Sequence, residues 1–271
     1  MSLQLKGSNA RYVCAPKDQL VKVSQAVNPD EALCLAETYL TAFQTLHLGQ
    51  KSSLRYHENS LKGRSVLIMV GGYSSLTRAF IEVANAGGVD CCYVITKEKD
   101  FSTVAKLGAI PLARDPHQWL TLVGRQVDLI VACNDHRLHT EVITKDHLKA
   151  LNNEGEVVII GQPGVDNSLP FEESTKGHVS KLICKSNRPT LQDRSQSYNV
   201  FDAWEKDLKQ SKRDLEYLLS LLEKRKVRPQ VIQKIPLSKI AKAQSIVDSK
   251  RLPGYFVCLP WTDEKTLDQN M

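Results

Sequence analysis

The chain has 271 residues, 42% of them hydrophobic and 24% charged, which is enough to bury a sizeable core as one large domain or as a domain with an appendage. Its longest apolar stretches, near residues 66–72 and 157–161, are too short to span a bilayer, and residues 1–9 lack the apolar core of a signal peptide. An intracellular protein of the cytoplasm or an organelle matrix, without a membrane partner, is therefore expected.

The net charge of +6 is modest, and its densest cluster is Lys224, Arg225, Lys226 and Arg228. No aromatic residues interleave with these cations as a base-stacking platform would require, so they read as charges favoured by a helix C-terminus, and no nucleic-acid partner is expected. The seven cysteines include no Cys-x-x-Cys pair and lie in apolar or strand-like contexts, which predicts reduced, buried thiols.

Residues 11–14 and 20–23 read as two short strands with no evident sheet of their own. Asn28-Pro29-Asp30-Glu31 then supplies an N-cap, a proline at the first helical position and an acid at the third, so a helix should start there and run through residues 32–47 with a break. From residue 65 onward, strand-like and helix-like segments alternate, as in a parallel sheet covered by helices. The runs 66–70, 91–95, 127–132 and 157–160 are continuously apolar, which fits strands buried on both faces.

Between those runs, residues 76–86 place Leu76, Ala79, Phe80, Val83 and Ala84 on one helical face and stop at Gly87-Gly88. Residues 101–107 form the next helix candidate, followed by the short apolar stretch 110–112 and an Asp115-Pro116 turn signal. A further helix is expected over 145–151. Later, Leu208, Leu215, Leu218, Leu219 and Leu222 make an apolar stripe on a charged helix, residues 255–259 read as a last strand, and 262–271 as a disordered tail.

A strand that ends in Gly-Gly and turns into a helix can present backbone N–H groups and a helix N-terminus to a pyrophosphate. The turn here is Val70-Gly71-Gly72-Tyr73-Ser74-Ser75-Leu76-Thr77, without the later glycines of a G-x-G-x-x-G pattern. Its surroundings are more specific. Tyr39-Leu40-Thr41-Ala42-Phe43-Gln44-Thr45-Leu46-His47, Ser65-Val66-Leu67-Ile68, Lys106-Leu107-Gly108-Ala109, Val127-Asp128-Leu129-Ile130 and Glu154-Gly155-Glu156-Val157-Val158-Ile159-Ile160-Gly161 occur in order, followed by Arg228-Pro229, Pro236-Leu237 and Gly254-Tyr255-Phe256-Val257.

Together these segments resemble the zinc-independent, zeta-crystallin-like quinone oxidoreductase branch of the medium-chain dehydrogenase/reductases, over nearly the whole chain. The resemblance implies an α/β fold with a doubly wound, mainly parallel Rossmann-type sheet over residues 27–261. It makes residues 1–26 a remnant of the family's GroES-like barrel, with its last strands within 9–23. It also implies an NADPH site in which Thr41 lies near the nicotinamide, Gly71, Gly72, Tyr73, Ser74 and Ser75 form the phosphate turn, and Gly161 with Gln162 lines the far side.

Lys97, at the ribose position after the second strand, favours NADPH over NADH, although an ordinary solvated lysine is an equal reading. Where the family has close-approach glycines, this chain has Ser74, Ser75 and Thr77, whose side chains take room from the pyrophosphate but carry hydroxyls that can donate to it; weak binding is expected. The acceptor would be a small electron-poor molecule such as a quinone or enone. No catalytic acid or base and no metal site is assigned.

Set against the family, only the last strands of the barrel are expected here, whether it was trimmed from a longer protein, is supplied by another chain or was lost, so this chain alone should give the cleft one wall. Little turnover by this chain alone and an exposed apolar face near Thr41 and the loop after Gly161 are expected, inviting a homodimer or a partner protein. The other reading is a catalytically silent Rossmann domain kept for binding or assembly.

Two further constellations compete. Cys133, Asp135, His136 and His139 could ligate a metal or form a polar loop over the crevice. Gly72-Tyr73-Ser74-Ser75-Leu76 resembles a nucleophile elbow, but Leu76 replaces its second glycine and the last histidine, His178, is followed by none that could serve as a late base.

Overall fold

The computed structural model describes residues 9–50, 53–133, 143–161, 195–249 and 252–262. Among them, six strands form one sheet: β1 (Ser65–Met69), β2 (Cys91–Ile95), β3 (Ile110–Leu112), β4 (Val127–Cys133), β5 (Leu151–Ile160) and β6 (Ser195–Tyr198). Their order is β3-β2-β1-β4-β5-β6, and every pairing is parallel. The first strand is thus central, and the chain leaves it in one direction through β2 and β3 and in the other through β4, β5 and β6. This is a Rossmann-type α/β fold.

The continuous apolar runs have the expected cause. Val66, Ile68, Val94, Leu129, Val131 and Val158 point to one face, while Leu67, Met69, Ile95, Ile130, Val157 and Ile159 point to the other. The first face is the thicker layer. It holds α1 (Pro29–Leu33), a π-helical stretch (Leu35–Tyr39), α2 (Leu40–Leu46) and α3 (Ser75–Ala86). Two later helices of this layer, α7 (Val200–Lys206) and α8 (Leu208–Glu223), follow α4 (Phe101–Lys106), α5 (Leu120–Val123) and α6 (Lys145–Lys149) in the chain. The second face packs on Trp119, Val123, Ile143 and Ala150 from the region of α5 and α6.

The helix expected from Asn28 is realised in pieces. The Asn28 side chain accepts from the Asp30 N–H at 2.9 Å and starts α1. The break is the π stretch, whose wider turn lets Leu35, Ala36, Tyr39 and Leu40 all face the core. At the other end of the layer the leucine stripe of α8 buries Leu215, Leu218, Leu219 and Leu222 as expected.

Three expectations need correction. Residues 11–14 and 20–23 form no strand; Tyr12 is 82% exposed, and the segment carries only a 3-10 turn at Lys17–Gln19. Side chains suited to a sheet do not make one without a neighbouring ladder. Leu151 belongs to β5, not to the preceding helix, because Val127 pairs with it and draws the polar residues 152–154 into the strand. Cys14 is exposed, and only Cys34 and Cys92 among the described cysteines are buried; burial pushes both thiols up to about 12.

β8 (Tyr255–Leu259) pairs in parallel with β7 (Val231–Pro236) in a separate two-stranded sheet, and α9 (Ile240–Ser249) joins them. Of the expected tail, only Thr262 lies among the described residues. No helix among these residues is long and apolar enough to cross a membrane.

Candidate nucleotide site

The crevice of an open parallel sheet forms where neighbouring strands leave in opposite directions. Here that point lies at the C-terminal ends of β1 and β4, and the turn after β1 borders it. Gly71 and Gly72 have φ of +84° and +85°, a region that side chains other than glycine rarely adopt. A Cβ on Gly72 would find only Thr96 Oγ1, at 3.8 Å. Thr96, at the end of β2, is buried, and its hydroxyl has no hydrogen-bond partner. The buried turn therefore leaves room at Gly72 beside an unsatisfied polar group, which a ribose or phosphate oxygen could satisfy.

The helix start is less open. Ser74 is the N-cap of α3, with its backbone extended, and its Oγ accepts from the Thr77 N–H at 3.3 Å. The two hydroxyls lie 3.1 Å apart, and Thr77 Oγ1 donates to the Gly72 carbonyl. The hydroxyls expected to reach a pyrophosphate are thus engaged with the turn itself. The Ser75 N–H, the first of the helix, donates at 2.8 Å to the carbonyl of Leu252, far along the chain.

The remaining expected residues fall around this turn unevenly. Tyr73 is half-buried, Lys97 is exposed just past β2, and Gly161 ends β5 with its N–H donating to the Tyr198 carbonyl at 2.9 Å. Thr41 is buried within α2, all of whose residues are buried, so among the described residues α2 adds nothing to the expected apolar face; the loop after Gly161 lies outside the described residues. Gln162 lies outside the described residues, as do Asp135, His136, His139 and His178. Among the described residues no cluster of three or more His, Cys, Asp or Glu side chains could hold a metal.

Two buried polar networks had no reading in the sequence. Asp214, fully buried on α8, accepts from Arg55 at 3.1 and 3.3 Å, Tyr56 at 2.8 Å, Gln44 at 2.8 Å and Gln210 at 2.9 Å. Tyr198, at the end of β6, donates to Gln44 on α2. In the second network, Glu82 on α3 accepts from the Tyr39 hydroxyl at 2.8 Å, from Arg78 at 2.8 Å and from the Arg228 N–H at 2.7 Å. Both networks join α2 or α3 to later parts of the chain.

The zinc-binding dehydrogenase family profile matches residues 107–257, more than half of the chain. The chain belongs to that family. A comparison with curated proteins gives no match.

Solved structures with the same fold include an NAD-dependent alcohol dehydrogenase, with 23% identity over 93% of this chain and a TM-score of 0.62. The quinone oxidoreductase of Coxiella burnetii has 18% identity over 91% of the chain and a TM-score of 0.58. The human synaptic vesicle membrane protein VAT-1 homolog-like protein has 14% identity over 94% and a TM-score of 0.63. The matched region covers 65% of the first two of these chains and 71% of the third, so this chain spans less than two thirds of the first two.

Proposed function

We propose that this chain is the nucleotide-binding part of a zeta-crystallin-like oxidoreductase of the quinone-reductase type, that it prefers NADPH, and that it binds the cofactor weakly. The observation that carries this reading is the pair of left-handed glycines at the switch point of the sheet, the second of them beside the partnerless Thr96 hydroxyl. Gly71 and Gly72 would admit the pyrophosphate, Thr96 and Lys97 would meet the adenosine ribose and its 2′-phosphate, and Thr41 and Gly161 would flank the nicotinamide. The bound nicotinamide would supply a hydride to an electron-poor acceptor such as a quinone or enone. The chain's own contribution is to bind and orient it.

The second reading is a catalytically silent domain that serves binding or assembly. It is favoured by the internal use of the Ser75 amide and of the Ser74 and Thr77 hydroxyls. Thermal unfolding with and without nucleotide separates the two. Ligand at about a hundredfold its Kd stabilises a native state by about 2.7 kcal/mol. NADPH should therefore raise the melting temperature, NADH should raise it less, and Lys97→Ala should bring the two closer together. No shift with either cofactor at millimolar concentration would leave the silent reading. An equal loss for both in Lys97→Ala would remove Lys97 from the 2′-phosphate position.

A further inference from the structure

Among the described residues, the segment before β8 meets the phosphate turn through a backbone hydrogen bond. The Leu252 carbonyl accepts the Ser75 N–H at 2.8 Å, at the first amide of α3, where the family fold presents N–H groups to phosphate oxygens. That carbonyl is held there. The Tyr255 N–H donates to the Gln230 carbonyl at 2.8 Å, and Gly254 lies so close to the same carbonyl that a Cβ would stand 2.1 Å from it. The Tyr255 hydroxyl is shut away from solvent beside Thr38 and Ser75. Residues 252–255 thus form a strap that passes the start of α3 and Gln230 and leads into β8.

We infer that this strap is an internal competitor for the phosphate site: the Leu252 carbonyl occupies the amide that a nucleotide phosphate needs, and binding is coupled to the release of residues 252–255 from Ser75. The inference rests on the nucleotide-binding reading and gives it a mechanism for weak affinity. An amide cannot serve a carbonyl and a phosphate oxygen with full strength at once, and a charged acceptor makes the stronger bond. The strap is displaced only as far as that difference exceeds the cost of leaving the Leu252 carbonyl to solvent. Because Tyr255 begins β8, release also loosens the β7–β8 pair at its Gln230 end.

Two substitutions act on the contact from opposite sides. Gly254→Ala forces residues 252–255 away from Gln230 and frees the Ser75 amide. Ser75→Pro removes the amide itself at a position that tolerates proline, since it is the first residue of the helix and Ser74 before it is extended (φ −148°, ψ 176°).

The experiment is a calorimetric titration of NADPH, and of inorganic pyrophosphate, into the wild type, both single variants and the double variant. Amide hydrogen exchange at Ser75 and Tyr255, read by NMR, accompanies it. Gly254→Ala is expected to bind NADPH and pyrophosphate about tenfold more tightly, the worth of one hydrogen bond to a charged group, and to expose the Ser75 amide to exchange. The double variant should lose that gain. In the wild type, NADPH should speed exchange at the Tyr255 amide.

Equal NADPH affinity in wild type and Gly254→Ala, with the amide freed, overturns the strap and leaves the nucleotide reading standing. A gain that survives in the double variant overturns it too. If no variant binds either probe although the Ser75 amide exchanges freely in Gly254→Ala, both fail together. Should Gly254→Ala not fold, Ser75→Pro decides: Tyr255 exchange as slow as in the wild type would show that the Ser75–Leu252 bond does not hold the strap.

Discussion

Replacing Asp214 by alanine should cost more stability than almost any other change in this fold. The carboxylate is fully buried on α8 and meets Arg55 in an ion pair of 3.1 Å, while Tyr56, Gln44 and Gln210 also donate to it. Removing it leaves a guanidinium that is itself 10% exposed without a counter-charge, and three neutral donors without their acceptor. Breaking a buried pair from one side costs about 3–5 kcal/mol, and the orphaned neutral donors push the expected loss to the upper part of that range.

Urea unfolding followed by tryptophan fluorescence measures the loss, because Trp204 on the adjoining helix α7 is buried. The double variant Arg55→Met with Asp214→Leu replaces both charges by apolar groups. It should be at least about 2 kcal/mol more stable than the sum of the single losses predicts. An Asp214→Ala loss below about 1 kcal/mol, or strictly additive singles, would show that the network contributes shape and not charge pairing.

Two buried histidines should make stability fall with acid. Burial, with Arg55 and Arg64 adding repulsion, lowers His47 to about 4, and burial lowers His147 to about 4. Both are neutral in the fold: His47 Nδ1 faces the Phe43 carbonyl at 2.7 Å, and His147 Nδ1 accepts from the Thr144 N–H at 3.2 Å. Since the unfolded chain takes up these protons near pH 6.5, the stability is complete above that pH. It is lost as pH falls from 6.5 to 4, by about 3 kcal/mol for each group. His47→Gln should halve the slope of unfolding free energy between those limits, and an unchanged slope would exclude His47 as its source. A third test concerns Arg225, whose φ of +57° sits just past the end of α8 with its N–H on the Leu222 carbonyl at 2.9 Å. Arg225→Ala and Arg225→Gly both lose the ion pair to Glu31, but glycine also relieves the backbone, so the glycine variant should be about 1 kcal/mol the more stable. Equal midpoints in urea would mean that the left-handed turn carries no strain.

What could be read from the sequence was whatever leaves a periodic or compositional trace. Strands buried on both faces must be apolar without interruption, so β1, β2, β4 and the inner half of β5 were visible, and Gly71-Gly72 marked the turn because only glycine accepts its φ. Asp214 left no trace, since it stands among lysines, arginines and glutamates on a helix whose charges mostly face water. The Leu252 contact is made by a backbone carbonyl, which every residue carries, and no choice of side chain announces it. Residues 9–23 misled for a related reason: Tyr12 and Val13 suit a sheet, but whether they join one depends on a ladder that the local sequence does not contain.

The all-parallel sheet also shapes how the chain reaches its fold. Parallel neighbours cannot be joined by a tight hairpin, so none of the five pairings in the main sheet is local: Ser65 must find Cys91, Val66 must find Leu129, and Val157 must find Ser195. Each contact is rewarded only after a long loop has been closed, which places this chain among slow folders. The central strand gains its second neighbour only when β4 arrives, so during synthesis Leu67 and Ile68 stay partly uncovered until residues 127–133 have left the ribosome. A nascent chain halted before that point should engage holding chaperones, and one extended past β5 should release them.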